Sequence, residues 1–199
     1  PVAEKPPVAG GQVTDVYIAR HGATEWNLVE RLCGRTDLPL SETGVAQAHA
    51  LGERLAGEGI ALDRIYASPL TRAQQTAEIV SQYVTAPIVT DERLIEQSFG
   101  DNEGIDIHLS AYLTCKQNLA LRCPGGESAM DVACRIYGFL EELRRQREQK
   151  TVLLVGHGSA MRVLHTYFVD DVRNEDFWRW SLGNAEYRLY RLPEIILGG

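Results

Sequence analysis

The chain has no apolar run approaching the ~20 residues needed to span a bilayer, and no signal-like apolar core precedes its first strand-like segment. A soluble, cytoplasmic protein with no membrane partner is therefore expected. Cations are also in short supply. Lys and Arg number 20 against 27 Asp and Glu, a formal net charge of −7. Such a long-range field repels nucleic acid and anionic membrane surfaces, so any anion site has to be a local cationic pocket. Cysteine is sparse and unpatterned. Cys33, Cys115, Cys123 and Cys134 form no Cys-x-x-Cys pair and no dense disulfide spacing, which reads as reduced thiols. Metal-ligand motifs such as His-Glu-x-x-His are absent, and the 5 histidines are scattered, so no metal and no cofactor is expected.

What is present suits a globular domain with a sizeable core: 199 residues, 44% apolar and 24% charged. Residues 1–12, rich in Pro, Gly and Ala, read as a flexible arm ahead of a domain spanning 13–199. Strand-like runs end at Arg20, Ala67, Thr90 and Val155, and Ala185 to Leu192 suits an edge strand. Between them lie helix patterns: Ser41 to about Gly57, with Val45, Ala48, Gly52 and Leu55 inward; Pro69 to about Tyr83; and Glu127 to Gln149, with Val132, Ile136, Phe139, Leu140 and Leu143 inward. His49 falls off the first stripe and reads as solvated. The cations of Arg144 to Lys150 read as partners of the helix dipole. Strands alternating with helices imply an α/β fold, a three-layer α/β/α sandwich on a largely parallel sheet.

Two strands end in histidine. Val16-Tyr17-Ile18-Ala19 runs into Arg20-His21-Gly22, and Thr151 to Val155 runs into Gly156-His157-Gly158. In open α/β sheets ligands gather beyond the carboxyl ends of the strands. Asn27 follows His21 closely, Arg72 falls in the first turn of the helix after the Arg64 to Ala67 strand, and Glu96 lies in Leu94-Ile95-Glu96. With Gly34 to Gly44 and Pro124-Gly125-Gly126-Glu127-Ser128, this ordered set resembles the histidine phosphatase superfamily, the phosphoglycerate mutase-like proteins, from about Val16 to about Leu192. The resemblance adds one antiparallel strand to the expected sheet. It implies that His21 is phosphorylated, that Arg20, Asn27, Arg72 and His157 bind phosphate, and that Glu96 donates a proton.

Phosphoryl transfer needs fixed cations, an in-line nucleophile and a proton donor for the leaving oxygen. A neutral imidazole at His21 supplies the nucleophile. Arg20 and Arg72 offer planar forks, Asn27 an amide donor, His157 when protonated a donor and a charge, and Glu96 the acid and base. Duller roles exist for each: Asn27 as a cap, Glu96 as a surface residue, the arginines as carboxylate partners. Trp26 reads as core, His165 as helix packing and His108 as loop.

Rival chemistries lack their motifs. The residues six positions after the cysteines are Pro39, Leu121, Ala129 and Leu140, never the arginine of a cysteine phosphatase. No Asp-x-Asp and no P-loop occurs. Gly100 to Pro124, with Lys116 and Arg122, is the candidate specificity cover over a small-molecule phosphate ester. A metal-independent phosphatase is expected, since the chain is compact and lacks the long insertion with paired arginines that similar mutases carry. The mutase and a non-catalytic phosphate-recognition module are the alternatives. The resemblance implies sugar phosphates, phosphoglycerates, a nucleotide-loop phosphate of cobalamin synthesis and phosphoserine as candidate substrates, and no oligomeric state can be read.

Overall fold

Val13–Arg20 forms β1, the strand at whose end the sequence places its chemistry. The computed structural model describes residues 13–109, 113, 116, 118–146, 151–170 and 172–193; the 1–12 arm lies outside them. The other strands are β2 (Arg64–Ala67), β3 (Ile88–Thr90), β4 (Thr151–Gly156) and β5 (Tyr187–Pro193), and the sheet order is β3-β2-β4-β1-β5. All neighbours pair in parallel except β5, which runs antiparallel to β1 at the edge. Because β1 and β4 are parallel and Arg20 is opposite Gly156, the two histidines emerge side by side at the same sheet edge.

The central strands bury both faces, as their near-continuous apolar runs require. Val16, Ile18, Tyr66, Val152 and Leu154 pack under α4 (Ala129–Leu143) and α5 (Gly158–Phe168). Ala19, Ile65, Ala67, Leu153 and Val155 pack under α2 (Glu42–Gly57) and α3 (Thr71–Ser81). Two short helices, α1 (Glu25–Leu28) and α6 (Asn174–Arg179), lie on the connections. This is the expected α/β/α sandwich. No helix among the described residues is long and apolar enough to cross a membrane.

Several boundaries differ from the sequence reading, each for a local reason. The helix expected from Pro69 begins at Thr71, because Leu70 is extended and Asp37 accepts both the Thr71 N–H (2.8 Å) and hydroxyl (2.7 Å). The helix expected from Glu127 begins after Ser128, which caps it in a reciprocal box with Asp131 and leaves Glu127 outside. It ends at Leu143, and residues 147–150 lie outside the described residues. Arg144 donates to the Pro193 carbonyl at 2.7 Å and, like Arg145, pairs with Glu141, so these cations serve side-chain pairs rather than a final helical turn. On α2, Leu51 occupies the inward stripe and Val45 is exposed. His49 is half-buried and bonds the Tyr83 hydroxyl at 2.8 Å instead of standing in solvent. Trp26 is half-buried against Gly104 and not in the core. His165 is buried packing, stacked on Trp180 with ring centroids 4.6 Å apart, as expected of it.

Candidate active site

The turn after β1 works only because two backbones touch. A Cβ on Gly22 would lie 2.2 Å from the Gly44 oxygen, and one on Gly44 would lie 2.0 Å from the Ala23 oxygen. Ser41 locks this contact, capping α2 through the Gly44 N–H (3.1 Å) while its hydroxyl donates to the Ala23 carbonyl (2.9 Å). On the other side the His21 carbonyl accepts from the Asn184 amide at 2.9 Å. His21 is thus fixed through its backbone before its ring meets anything.

The His21 ring has one available tautomer. Its Nδ1 lies 2.6 Å from the Gly22 carbonyl, which can only accept, so Nδ1 carries the proton and Nε2 presents a lone pair. Arg72 Nε donates to that Nε2 at 3.2 Å. Burial, then the Arg72 and Arg20 charges, push the His21 pKa well below its ordinary 6.5. The ring is a neutral, oriented base, 3% exposed.

Arg72 is fully buried in the first turn of α3, so each of its donors needs a partner. Its Nη1 and Nη2 donate to the Thr36 and Gly34 carbonyls at 2.9 and 2.6 Å. The fork expected to clasp phosphate is therefore engaged with the 34–36 loop, and Arg72 delivers its charge beside Nε2. That loop hangs on Glu103, whose carboxylate accepts from the Arg35, Thr36 and Phe99 N–H groups at 2.8, 2.7 and 3.3 Å, and from the Thr36 hydroxyl. Burial pushes the Glu103 carboxyl up, but the Thr36, Arg35 and Phe99 bonds outweigh it and hold it below its usual range.

Arg20 is less committed. Nη1 donates to the Leu182 carbonyl at 3.2 Å, while Nε is buried with no partner among the described residues. Burial lowers its pKa and the Glu96 charge works against that. His157 shows a similar deficit. The buried Ser68 hydroxyl accepts from the Leu70 N–H (3.3 Å) and lies 2.6 Å from His157 Nε2, its one available acceptor, so it donates there. Nδ1 then carries the ring proton, buried and without a hydrogen-bond partner among the described residues. Burial, then Arg72, His21 and Arg20, push this imidazole well below 6.5. Burial among these groups thus disfavours the protonated form that the sequence reading allowed for His157.

Glu96 is 4% exposed and not a surface residue. Its carboxylate accepts the Gln97 and Ala160 N–H groups on Oε1 (2.8 and 3.0 Å) and the Ser159 N–H on Oε2 (3.1 Å), so it sits on the first turn of α5. Asn27 is the N3 residue of a capping box whose N-cap is Thr24: its Oδ1 accepts from Thr24 N and Oγ1 at 3.0 and 3.1 Å. It also lines the cleft, and its Nδ2 amide has no other hydrogen bond among the described residues.

That cleft, about 330 Å³, has Arg20, Asn27, Glu96, Lys116, Gly158, Ser159 and Arg162 in its lining. His21, Arg72 and His157 lie buried and clustered beside it, the two imidazole centroids 5.0 Å apart. Arg122 is not brought in. It is exposed and pairs with Asp131 at 2.6 Å, outside the cleft lining. Sequence reasoning missed Ser68, Glu103, Asn184 and Arg162. Ser68 ends a strand as His21 and His157 do, a signal that could have found it. Arg162 stands one helical turn beyond Gly158. Asn184 and Glu103 carry no local signal. Among the described residues no group of three or more His, Cys, Asp or Glu side chains is placed to hold a metal ion.

Comparison with known proteins identifies the family. The model of the histidine phosphatase superfamily (branch 1) matches residues 16–194. An uncharacterized phosphatase, PhoE, of Bacillus subtilis (strain 168) is 36% identical over 154 residues, 77% of each chain. A 2,3-bisphosphoglycerate-dependent phosphoglycerate mutase of Methylobacterium sp. (strain 4-46) is 34% identical over 194 residues, 89% of this chain and 90% of that protein. Among solved structures, a mycobacterial glucosyl-3-phosphoglycerate phosphatase superposes with a TM-score of 0.76 at 27% identity, covering 89% of this chain and 90% of that one. The mutase match also removes a distinction drawn from sequence: a compact chain does not by itself separate phosphatase from mutase.

Proposed function

The chain belongs to the histidine phosphatase superfamily, and from that premise we propose that it is a metal-independent phosphomonoesterase working through a phosphohistidine on His21. The observation that carries this is the His21 ring: Nδ1 tied to Gly22, Nε2 free of protons, and Arg72 and Arg20 supplying charge beside it. Nε2 attacks phosphorus in line, the P–O bond to the alcohol breaks, and protonated Glu96 gives its proton to the departing alkoxide. Water then attacks the phosphohistidine, Glu96 takes up its proton, and the His21 nitrogen leaves with its electron pair. His157 Nδ1–H and the Asn27 amide donate to the phosphoryl oxygens, and Arg20 and Arg72 offset the charge that develops on them. A pure phosphate-recognition module would need the cations but neither an oriented imidazole nor a buried carboxyl.

The mutase reading shares the first half-reaction, and the Methylobacterium relative keeps it in play. Hydrolysis is favoured by the phosphatase names carried by the Bacillus and mycobacterial relatives. The test is turnover of a panel of small phosphate esters, including 3-phosphoglycerate, with and without excess chelator. Release of inorganic phosphate at a rate unchanged by chelator is the expected result. Transfer of phosphate to an acceptor ester in place of release would make the enzyme a mutase. Loss of turnover in chelator, restored by one metal, would overturn metal independence.

A further inference from the structure

Arg72 meets His21 through Nε alone, and its other nitrogens are committed to a loop. The guanidinium is rigid and planar, so the Gly34 and Thr36 carbonyls that take Nη2 and Nη1 at 2.6 and 2.9 Å also set where Nε stands, 3.2 Å from the imidazole. Because Arg72 is fully buried, a shift of the loop forces the guanidinium to follow its acceptors or to leave donors unpaired. What holds the loop therefore holds the charge at the nucleophile. Glu103 is the main tie. Its Oε1 accepts from the Arg35 and Phe99 N–H groups at 2.8 and 3.3 Å, and its Oε2 from the Thr36 N–H at 2.7 Å and the Thr36 hydroxyl. One half-buried carboxylate thus joins the 34–36 loop to the segment 96–99 that carries Glu96. Its own backbone is fixed alongside, since the Gly104 N–H donates to the Leu32 carbonyl and the Leu32 N–H to the Ile105 carbonyl, both at 2.8 Å. The Arg35 side chain is a weaker tie. Its Nε reaches the Glu96 carbonyl at 3.4 Å, and its pair with Glu127 at 2.8 Å joins side chains 42% and 20% exposed, where an ion pair contributes little. Glu103 is not among the residues lining the cleft, so it acts through what it holds.

We propose that Glu103 is a positioning residue of the reaction, fixing through the 34–36 loop where the Arg72 charge stands against His21 Nε2. This rests on the phosphohistidine reading and adds to it a residue outside the cleft. Arg72 offsets the charge that develops on the phosphoryl oxygens as Nε2 attacks, and that contribution depends on its being in place before the reaction starts. Binding of the ester itself is shared with Arg20, Asn27 and His157. A displaced Arg72 therefore costs more in the transition state than in the bound ester, and the deficit belongs in kcat rather than in KM.

Two variants grade the effect. Glu103→Met keeps the length of the side chain and removes both acceptors, whereas Glu103→Gln keeps one acceptor oxygen and puts a donor in place of the other. With p-nitrophenyl phosphate, Glu103→Met should lower kcat roughly tenfold to hundredfold with KM within roughly threefold of wild type, and Glu103→Gln should fall between the two. Arg35→Met leaves the Arg35 N–H on Glu103 and should cost less than either. Adding Glu103→Met to Arg72→Met should cost no further activity, because the group through which Glu103 acts has gone. The direct readout is NMR. The Arg72 Nε–H, identified by its absence in Arg72→Met, should be protected from solvent exchange in wild type and exchange faster in Glu103→Met, with the His21 Nε2 shift moving toward that of an unbonded lone pair. If Glu103→Met does not fold, the same comparison is made on Glu103→Gln. Folded variants with kcat within roughly twofold of wild type, losses confined to KM, or losses that multiply with Arg72→Met overturn the assignment. So does an unchanged Arg72–His21 signal, or a larger loss in Arg35→Met than in Glu103→Met. If wild type hydrolyses no ester, the phosphatase reading fails alone, because the NMR comparison needs no turnover and still decides whether Glu103 places Arg72.

Discussion

His21 and His157 end neighbouring parallel strands, and their rings lie 5.0 Å apart, yet the partners of the two imidazoles are opposite. His21 gives its Nδ1 proton to a backbone carbonyl and keeps Nε2 as a base facing a guanidinium. His157 has its Nε2 lone pair taken by the Ser68 hydroxyl and keeps an Nδ1–H unpartnered among the described residues. One ring offers a lone pair and the other an N–H. Residue type and strand position do not distinguish them; a glycine carbonyl and a serine hydroxyl do. In both cases the atom that sets the role lies outside the ring and fixes its tautomer.

The sharpest way to break this comparison is to remove each ring separately. His21→Ala should lower turnover by roughly four orders of magnitude or more, as loss of a nucleophile does, and His157→Ala by roughly a hundredfold to a thousandfold, as loss of one transition-state donor does. Brief reaction with labelled ester should leave acid-labile phosphate on His21 in wild type and, more slowly, in His157→Ala. Label found on His157, or persisting in His21→Ala, would reverse the assignment.

Glu96 tests the comparison from the leaving-group side, because in the proposed mechanism the nucleophile and the acid act on opposite ends of the same P–O bond. Glu96→Gln keeps the shape and cannot supply the proton. The phosphorylation step should slow by ~100- to 10,000-fold for an alkyl phosphate and far less for p-nitrophenyl phosphate, whose leaving group is already a weak base. Burst kinetics must isolate that step, since the two esters share dephosphorylation. Equal slowing of both would remove Glu96 as the general acid. Glu103 could not then simply replace it, because it holds the 34–36 loop and is not among the residues lining the cleft.

The parts of this site legible in the sequence are those that end strands or begin helices. Arg20, His21, Arg72 and His157 could be placed at one sheet edge because apolar runs stop at them, and the sheet brings them there. What each does was less legible. Nothing around Arg72 announces that the Gly34 and Thr36 carbonyls will occupy its fork, since that depends on a loop distant in sequence and on Glu103 holding it. The charge of His157 also depends on burial among Arg72, His21 and Arg20, which only the assembled layers create. Arg122 shows the converse: a cation in the right stretch of sequence, drawn away by Asp131 at the start of α4. Helix ends slipped for the same reason, with Asp37 and Ser128 setting starts that periodicity could not.

The finest test concerns protons and not rates. Burial and the neighbouring arginines push both imidazoles well below 6.5, so in phosphate-free buffer neither ring should titrate near that pH, and nitrogen-resolved NMR should show His21 protonated on Nδ1 alone. The sign for stability follows from the unfolded chain. Above about pH 6.5 both folded and unfolded histidines are neutral, and the contribution to stability is complete. As the pH falls through 6.5 the unfolded chain takes up protons that the folded site refuses, so stability declines with falling pH toward the lower folded values. His165, pushed down to about 4 by burial and then by Arg188, adds to the same trend from the packing side of α5. Each refused proton corresponds to a slope of roughly 1 kcal/mol per pH unit below 6.5. Urea unfolding at pH 7.5, 6.5 and 5.5 should show the decline, and His157→Gln should flatten it by about one such slope. A ring of His21 or His157 titrating near 6.5 in the folded protein, or a His157→Gln variant with the wild-type pH slope, would mean that the pair holds a proton after all, and the division between attacking and donating rings would have to be redrawn.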